Sequence, residues 1–108
     1  MAAIDSEDDY VTVQTTFDSQ GSPTVLIAGE IDLSTVNTVR AAIEAITRSE
    51  PDHIAFDLSG VGFMDSSGIA VLLEAAQQAQ TVSVTRASPA ARRVIETTGL
   101  SGVLHLAP

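Results

Sequence analysis

Four short runs rich in β-branched or other apolar residues alternate with three stretches of helical periodicity, and this order constrains the fold more than any other feature of the chain. Tyr10 to Phe17 places Val11, Val13, Thr15 and Phe17 on one side, the period of a strand. Asp18-Ser19-Gln20-Gly21-Ser22-Pro23 is a turn cluster. Thr24 to Gly29 is a second strand, and the link between the two is too short for a crossover, so they form an antiparallel hairpin. Ser34 is a candidate N-cap for a helix through about Arg48, with Val36, Val39, Ile43 and Ile46 on one face. Pro51-Asp52 ends it. His53 to Leu58 reads as a strand, and Ser59-Gly60-Val61-Gly62-Phe63-Met64 as a loop lying against the core. A second helix runs from near Ser66 to about Gln80, with Ile69, Leu72, Leu73, Ala76 and Ala79 inward. Thr81 to Thr85 is a strand. Ser88-Pro89 is an N-cap followed by proline at the first helical position, and it opens a third helix with Ala91, Val94, Ile95 and Thr98 inward. Gly99 caps its end. Val103 to Leu106 fits a last short strand.

The order β-β-α-β-α-β-α implies right-handed crossovers between parallel strands, and the opening hairpin makes the α/β sheet a mixed one. Binding sites in such sheets lie beyond the carboxyl ends of the parallel strands. Two loops meet that rule: Gly29-Glu30-Ile31-Asp32-Leu33, and Val61 to Gly68.

The chain's 108 residues make one domain, and an apolar fraction of 44% supplies a core without help from disulfides or metals. Cysteine is absent, which excludes disulfides, zinc ribbons, iron–sulfur clusters and thiol redox chemistry. His53 and His105 are too few for most metal sites unless carboxylates join them. No apolar run reaches the roughly 20 residues that cross a bilayer, and the acidic Met1–Asp9 segment lacks the order of a signal peptide, so a cytoplasmic chain is expected. Residues 1–9 read as a flexible arm. The formal charge is −9, from 14 acids against 5 bases, all of them arginine. Such a surface repels phosphate backbones and anionic lipid.

Asp65-Ser66-Ser67-Gly68 is the tetrapeptide of most interest. Asp and Ser cap helices, and that alone accounts for their presence. The functional alternative is a phosphate acceptor at a helix N-terminus. Ser66 suits the N-cap, with its hydroxyl turned to the backbone, which leaves Ser67 pointing outward and free to react. A phosphate there gains roughly 0.3–1 kcal/mol from the helix end. Neither serine has the glycine frame of a hydrolase nucleophile elbow, and His53 opens a strand away from this loop. Asp32 and Asp65 could pair as acid and base or hold Mg²⁺, a weak signal. Gly60-Val61-Gly62 lacks the third glycine and the lysine of a phosphate loop. Arg86, Arg92 and Arg93 near the third helix read as a solvated face.

Four segments in register resemble a known family: Gly29-Glu30-Ile31-Asp32, Phe56 to Val61, Phe63-Met64-Asp65-Ser66-Ser67-Gly68-Ile69, and Ser88-Pro89 through Arg92-Arg93-Val94 to Thr98-Gly99-Leu100. Over about residues 10–106 they are similar to the STAS domain, in its bacterial anti-sigma-factor antagonist branch. The resemblance implies a STAS domain over 10–108, with three to four helices, acting as a monomeric binding protein without a cofactor and not as an enzyme. Its implied partners are an anti-sigma factor that is also a serine kinase, and a phosphoserine phosphatase, with no direct nucleic-acid contact and no membrane insertion. The unmodified protein would hold the anti-sigma factor and free the sigma factor. Phosphate on the second serine, which maps to Ser67, would break the complex. Asp32, Asp65, Ser66, Ser67 and Gly68 then form the partner-binding switch. Two charges about 5 Å apart repel by roughly 3 kcal/mol at an effective dielectric near 20, about a hundredfold in affinity. An alternative from the same family is a docking subunit of a membrane lipid transporter that uses no phosphate.

Two places depart from the family's pattern. Gly62 stands where a larger or polar side chain is usual, which implies a more mobile loop. Gln77-Gln78-Ala79-Gln80 runs directly into Thr81, so either the helix is shortened or the connection is tight.

Overall fold

In the computed structural model, residues 3–7 and 10–108 are described. The elements follow as β1 (Ala3–Glu7), β2 (Val11–Phe17), β3 (Pro23–Ile31), α1 (Val36–Thr47), β4 (His53–Met64), α2 (Ser66–Gln78), β5 (Thr81–Ala87) and α3 (Pro89–Thr97). The strands form one mixed sheet in the order β1-β2-β3-β4-β5. β1 pairs with β2 and β2 with β3 antiparallel, while β3, β4 and β5 run parallel.

The two crossovers, β3-α1-β4 and β4-α2-β5, step in the same direction across the sheet. With a common right hand they place α1 and α2 on the same face. α3 packs against β4, β5 and α2 in that layer. The core lies between the layers: Val25 and Ile27 of β3, Ile54, Phe56 and Leu58 of β4, and Val82 and Val84 of β5 meet Val39 and Ile43 of α1, Leu72 of α2 and Ile95 of α3. The opposite face of the sheet carries half-buried small or polar side chains, among them Thr12, Gln14, Thr24, Ala55 and Ser83.

Local chemistry explains the boundaries. At the β2–β3 turn, Asp18 Oδ1 accepts from Gln20 N and Ser22 N at 2.9 Å each, and Gly21 takes φ +82°. Gly29 has φ +109°, and a Cβ there would lie 2.0 Å from the Tyr10 carbonyl oxygen, so only glycine lets β2 and β3 approach this closely. Ser88 caps α3 as expected, its Oγ accepting from Ala91 N at 3.1 Å. Gly99, at φ +75°, closes the helix. Its N–H bonds Glu96 O and the Leu100 N–H bonds Ile95 O, which completes a Schellman motif.

Four expectations change. Residues 3–7 of the expected arm form strand β1, because the outer edge of β2 would otherwise leave a row of backbone groups unpaired; residues 1–2 and 8–9 lie outside the described residues. The expected loop 59–64 is the second half of β4, which continues along β3 to pair Ile31 with Met64. Register shifts between Leu26 and Ala28 and between Gly29 and Glu30 absorb the extra β4 residues, and Gly62 is a bulge position in a strand. Val61 and Met64 are buried, whereas Phe63 is exposed. The inward face of α2 is Gly68, Ile69, Val71, Leu72 and Ala75, with Leu73, Ala76 and Ala79 at its margin, and Thr98 of α3 is exposed. Finally, residues 103–106 are turns. Buried Leu104 anchors them, and one parallel bridge joins Leu106 to Val84. The connection after α2 is tight: Gln78 ends the helix, Ala79 is already extended, and β5 starts at Thr81.

Candidate functional site: two aspartate–serine loops at the carboxyl ends of β3 and β4

The Ile31–Met64 pairing fixes the site. The chain leaves β3 at Asp32 and leaves β4 at Asp65, and the Asp65 N–H donates to Ile31 O at 3.2 Å, so the two loops emerge side by side. Each loop is an Asp-x-Ser unit with the same internal bonding. Asp32 Oδ1 accepts from Ser34 N at 2.9 Å and Ser34 Oγ at 2.6 Å. Asp65 Oδ1 accepts from Ser67 N at 2.9 Å and Ser67 Oγ at 2.5 Å. These are Asx-turn contacts, in which a carboxylate satisfies the backbone two residues on.

The cap of α2 is therefore Asp65, with extended backbone at φ −118° and its side chain on Ser67 N. This corrects the assignment of the N-cap to Ser66. The expectation that Ser67 points outward with a free hydroxyl changes with it: Ser66 is the first helical residue and is the exposed one, while Ser67 is half-buried with its hydroxyl bound by Asp65. Asp and Ser are near-equal caps, and the carboxylate accepts from both the N–H and the O–H of Ser67, two bonds strengthened by a charge that a serine hydroxyl does not carry. Gly68 lies buried beneath the turn. A Cβ there would meet Met64 Cγ at 2.5 Å and Ile31 Cγ2 at 3.1 Å, so glycine seats the first turn of α2 on the β3–β4 pair.

The first loop is held differently. Ser34 does not cap α1; Thr35 holds the N-cap position without a side-chain cap bond. Buried Thr35 instead ties the loop to β3, its Oγ1 donating to Glu30 O at 2.8 Å and accepting from Asp32 N at 3.0 Å. Asp32 sits below the ordinary carboxylate range, first because of the Ser34 hydroxyl and then because of the Ser34 and Thr35 N–H groups, which outweigh its desolvation. The sequence reading missed Thr35 and Ser34 as positioning groups. The Asp-x-Ser spacing shared with residues 65–67 was the available signal, and it recurs once more at Asp57–Ser59 inside β4, where Ser59 N and Oγ bond Asp57 Oδ1 at 2.9 and 2.6 Å.

Other candidates separate from this end. His53 opens β4, roughly 30 Å along the strand from Ser67, with Nδ1 2.6 Å from Thr81 Oγ1 and Nε2 3.0 Å from Ser83 Oγ. It cannot serve either serine as a base. Gly60-Val61-Gly62 is strand and forms no phosphate cradle. Among the described residues no cluster of three or more His, Asp or Glu side chains could hold a metal ion. Arg92 binds Ala107 O at 2.8 Å and lies 3.9 Å from Glu96, which fastens the C-terminal turns to α3, while Arg86 and Arg93 are exposed. A cleft of about 450 Å³ lies away from the two loops, between the later turns of α1 and α2, and is lined by Ile43, Glu44, Arg48, Val71, Ala75 and Gln78 among others. No described helix is long and apolar enough to cross a membrane.

The family profile described as "Mlab, STAS domain" matches residues 15–106. The chain belongs to the STAS domain family. Its relatives there include anti-sigma-factor antagonists. The anti-sigma F factor antagonist of Paenibacillus polymyxa is 32% identical over 87 residues, covering 76% of this chain and 74% of that protein. The anti-sigma-F factor antagonist RsfB of Mycobacterium tuberculosis is 32% identical over 104 residues, covering 94% of this chain and 84% of RsfB. The crystal structure of an anti-sigma factor antagonist from Mycobacterium paratuberculosis superposes with a TM-score of 0.84 at 32% identity, covering 95% of this chain and 90% of the other. Its match agrees with the STAS fold expected from the four sequence segments. Both Asp-x-Ser loops of this STAS domain fall within the matched range.

Proposed function

We propose that the chain is an anti-sigma-factor antagonist, working in the cytoplasm as a monomeric binding protein and not as an enzyme. Its unphosphorylated form binds an anti-sigma factor that is also a serine kinase, and so frees the sigma factor. The kinase then transfers the γ-phosphoryl group of ATP to Ser67 Oγ, releasing ADP, and the complex dissociates. A phosphoserine phosphatase restores the binding form. The observation that carries this reading is the Ser67 hydroxyl, held by Asp65 in the first turn of α2 beside the Asp32 loop.

Asp65 Oδ1 already accepts a hydrogen bond from the Ser67 hydroxyl, whose proton must leave on phosphorylation. Once the phosphate is in place that bond has no donor, and a group of about −2 charge faces the cap carboxylate with Asp32 in the adjoining loop. The positive end of α2 offsets part of the repulsion. Sealed under a partner, each close charge pair costs roughly 3 kcal/mol, about a hundredfold in affinity. Added charge on a contact surface is enough for such a switch, without a change of fold.

The test is a calorimetric titration of the unmodified and the kinase-phosphorylated chain against the purified anti-sigma factors of the source organism. Binding of the unmodified chain, weakened about a hundredfold or more by phosphate, is the expected result. Binding that ignores phosphate, or binding to a transporter ATPase in its place, would overturn the reading.

A further inference from the structure

Five large apolar side chains are exposed among the described residues: Tyr10, Phe17, Leu33, Phe63 and Val103. Three of them, Tyr10, Leu33 and Phe63, lie at the end of the sheet that carries Ser67, and Glu30 stands between two of them, Tyr10 and Phe63. Tyr10 O accepts from Glu30 N at 2.8 Å. Phe63 is the register partner of Glu30 across the β3–β4 pair, so the two side chains share a face. Leu33 follows Asp32 in the loop that leaves β3. Their exposures are 62% for Tyr10, 49% for Phe63 and 81% for Leu33, the highest of the five. Leu33 and Phe63 also flank the switch directly, each one or two residues from Asp32 or Asp65.

The charge around them has one sign. Glu30 is exposed, and Asp32 and Asp65 are half-buried. The arginines are elsewhere: Arg40 is bound by Glu74 at 2.8 Å, Arg92 serves the C-terminal turns, Arg93 lies on α3, Arg48 ends α1, and Arg86 pairs in register with Asp57, well short of Phe63 along β4. Exposed apolar side chains interleaved with carboxylates, and with no free arginine among them, are a composition suited to docking a protein of opposite charge. The carboxylates disfavour an anionic lipid surface.

We propose that Tyr10, Leu33 and Phe63 form the apolar anchor of the partner interface, and that the anti-sigma factor meets them with an apolar socket rimmed by arginine or lysine. The inference rests on the proposed function and adds the chemistry of the partner's surface to it. The apolar group supplies hold, while Glu30, Asp32 and Asp65 steer and orient the approach. Phosphate on Ser67 then places its charge at the edge of the anchor, where the partner excludes water.

The experiment measures binding of the anti-sigma factor that phosphorylates the chain, for wild type and for Tyr10→Ala, Leu33→Ala, Phe63→Ala, Glu30→Arg and Phe17→Ala. Phe17 is equally exposed, at 58%, but its register partner is Pro23 at the other end of β3. Melting temperatures within about 2 °C of wild type establish that these surface variants are folded. Leu33→Ala and Phe63→Ala are expected to weaken binding about tenfold or more each, and Phe17→Ala by less than twofold. Glu30→Arg is expected to weaken it several-fold and to flatten its dependence on salt. If wild type binds and is released by phosphate while Leu33→Ala and Phe63→Ala stay within twofold, the anchor is wrong and the proposed function stands. Equal losses in Phe17→Ala and Leu33→Ala would also overturn the anchor. A wild-type chain that binds no anti-sigma factor overturns both.

Discussion

The loops at Asp32 and Asp65 share one hydrogen-bond pattern, yet the helices behind them make them different devices. In each, a carboxylate oxygen accepts from the N–H and the O–H of the serine two residues on. Ser34 lies outside α1, exposed, before a helix whose cap makes no side-chain bond. Ser67 lies inside the first turn of α2, half-buried, with its N–H and hydroxyl both held by the Asp65 cap and Gly68 pressed against Met64 beneath it. A phosphate on Ser67 would meet the helix dipole and the cap carboxylate together, whereas one on Ser34 would sit in solvent. On the proposed function, identical local chemistry serves as a switch only where a rigid element fixes it against the sheet.

The largest test of that difference removes the rigid element's foundation. Leu72 is fully buried on α2, and Leu72→Ala is expected to cost roughly 2–5 kcal/mol in urea unfolding. A surface-like effect would show that α2 is not fixed as described. Gly68→Ala is the next: the new methyl must displace Met64 and Ile31, at an expected cost of about 1–3 kcal/mol. A neutral result would mean that the seat of the second loop is loose, like a surface turn. Asp65→Ala removes a true cap and should cost about 0.5–2 kcal/mol, while Ser66→Ala, at an exposed position, should stay within about 0.5 kcal/mol. The reverse ranking would restore Ser66 as the cap.

The smallest effect concerns the first loop and pH. Asp32 is held below its ordinary value by the Ser34 hydroxyl and the Ser34 and Thr35 amides, so its folded-state value lies beneath its unfolded one. Its contribution to stability is therefore complete above the unfolded value, about pH 4, and disappears as pH falls through the lowered folded value. The difference in unfolding midpoint between wild type and Asp32→Asn should be constant above about pH 5 and shrink below pH 4. A difference that grows on acidification would contradict the assignment.

Much of this was legible in the chain. The β-β-α-β-α-β-α order, the Asp18–Ser22 turn, the Ser88-Pro89 start of α3 and the Gly99 stop each rest on local chemistry that the fold leaves unchanged. What was not legible depends on neighbours. Ala3–Glu7 is acidic and reads as an arm; it becomes a strand only because β2 offers an edge. Ser59–Met64 is glycine-rich and reads as a loop; bulges let it follow the lengthened β3. The inward face of α2 includes Gly68, Val71 and Ala75, small or compact residues whose burial depends on what packs against them and not on the local pattern. Asp65 and Ser66 are adjacent capping residues of near-equal strength, and the choice between them rests on which side chain can reach both donors of Ser67.

The central claim is that the second loop, through Ser67, is the switch. Mass spectrometry of the chain after reaction with its anti-sigma kinase and ATP tests it most directly, run on wild type and on Ser67→Ala with a parallel binding measurement. The account predicts a single phosphate on Ser67, no incorporation in Ser67→Ala, and partner binding by that variant that persists in the presence of ATP. Phosphate on Ser66 or Ser34, or undiminished incorporation in Ser67→Ala, would contradict it.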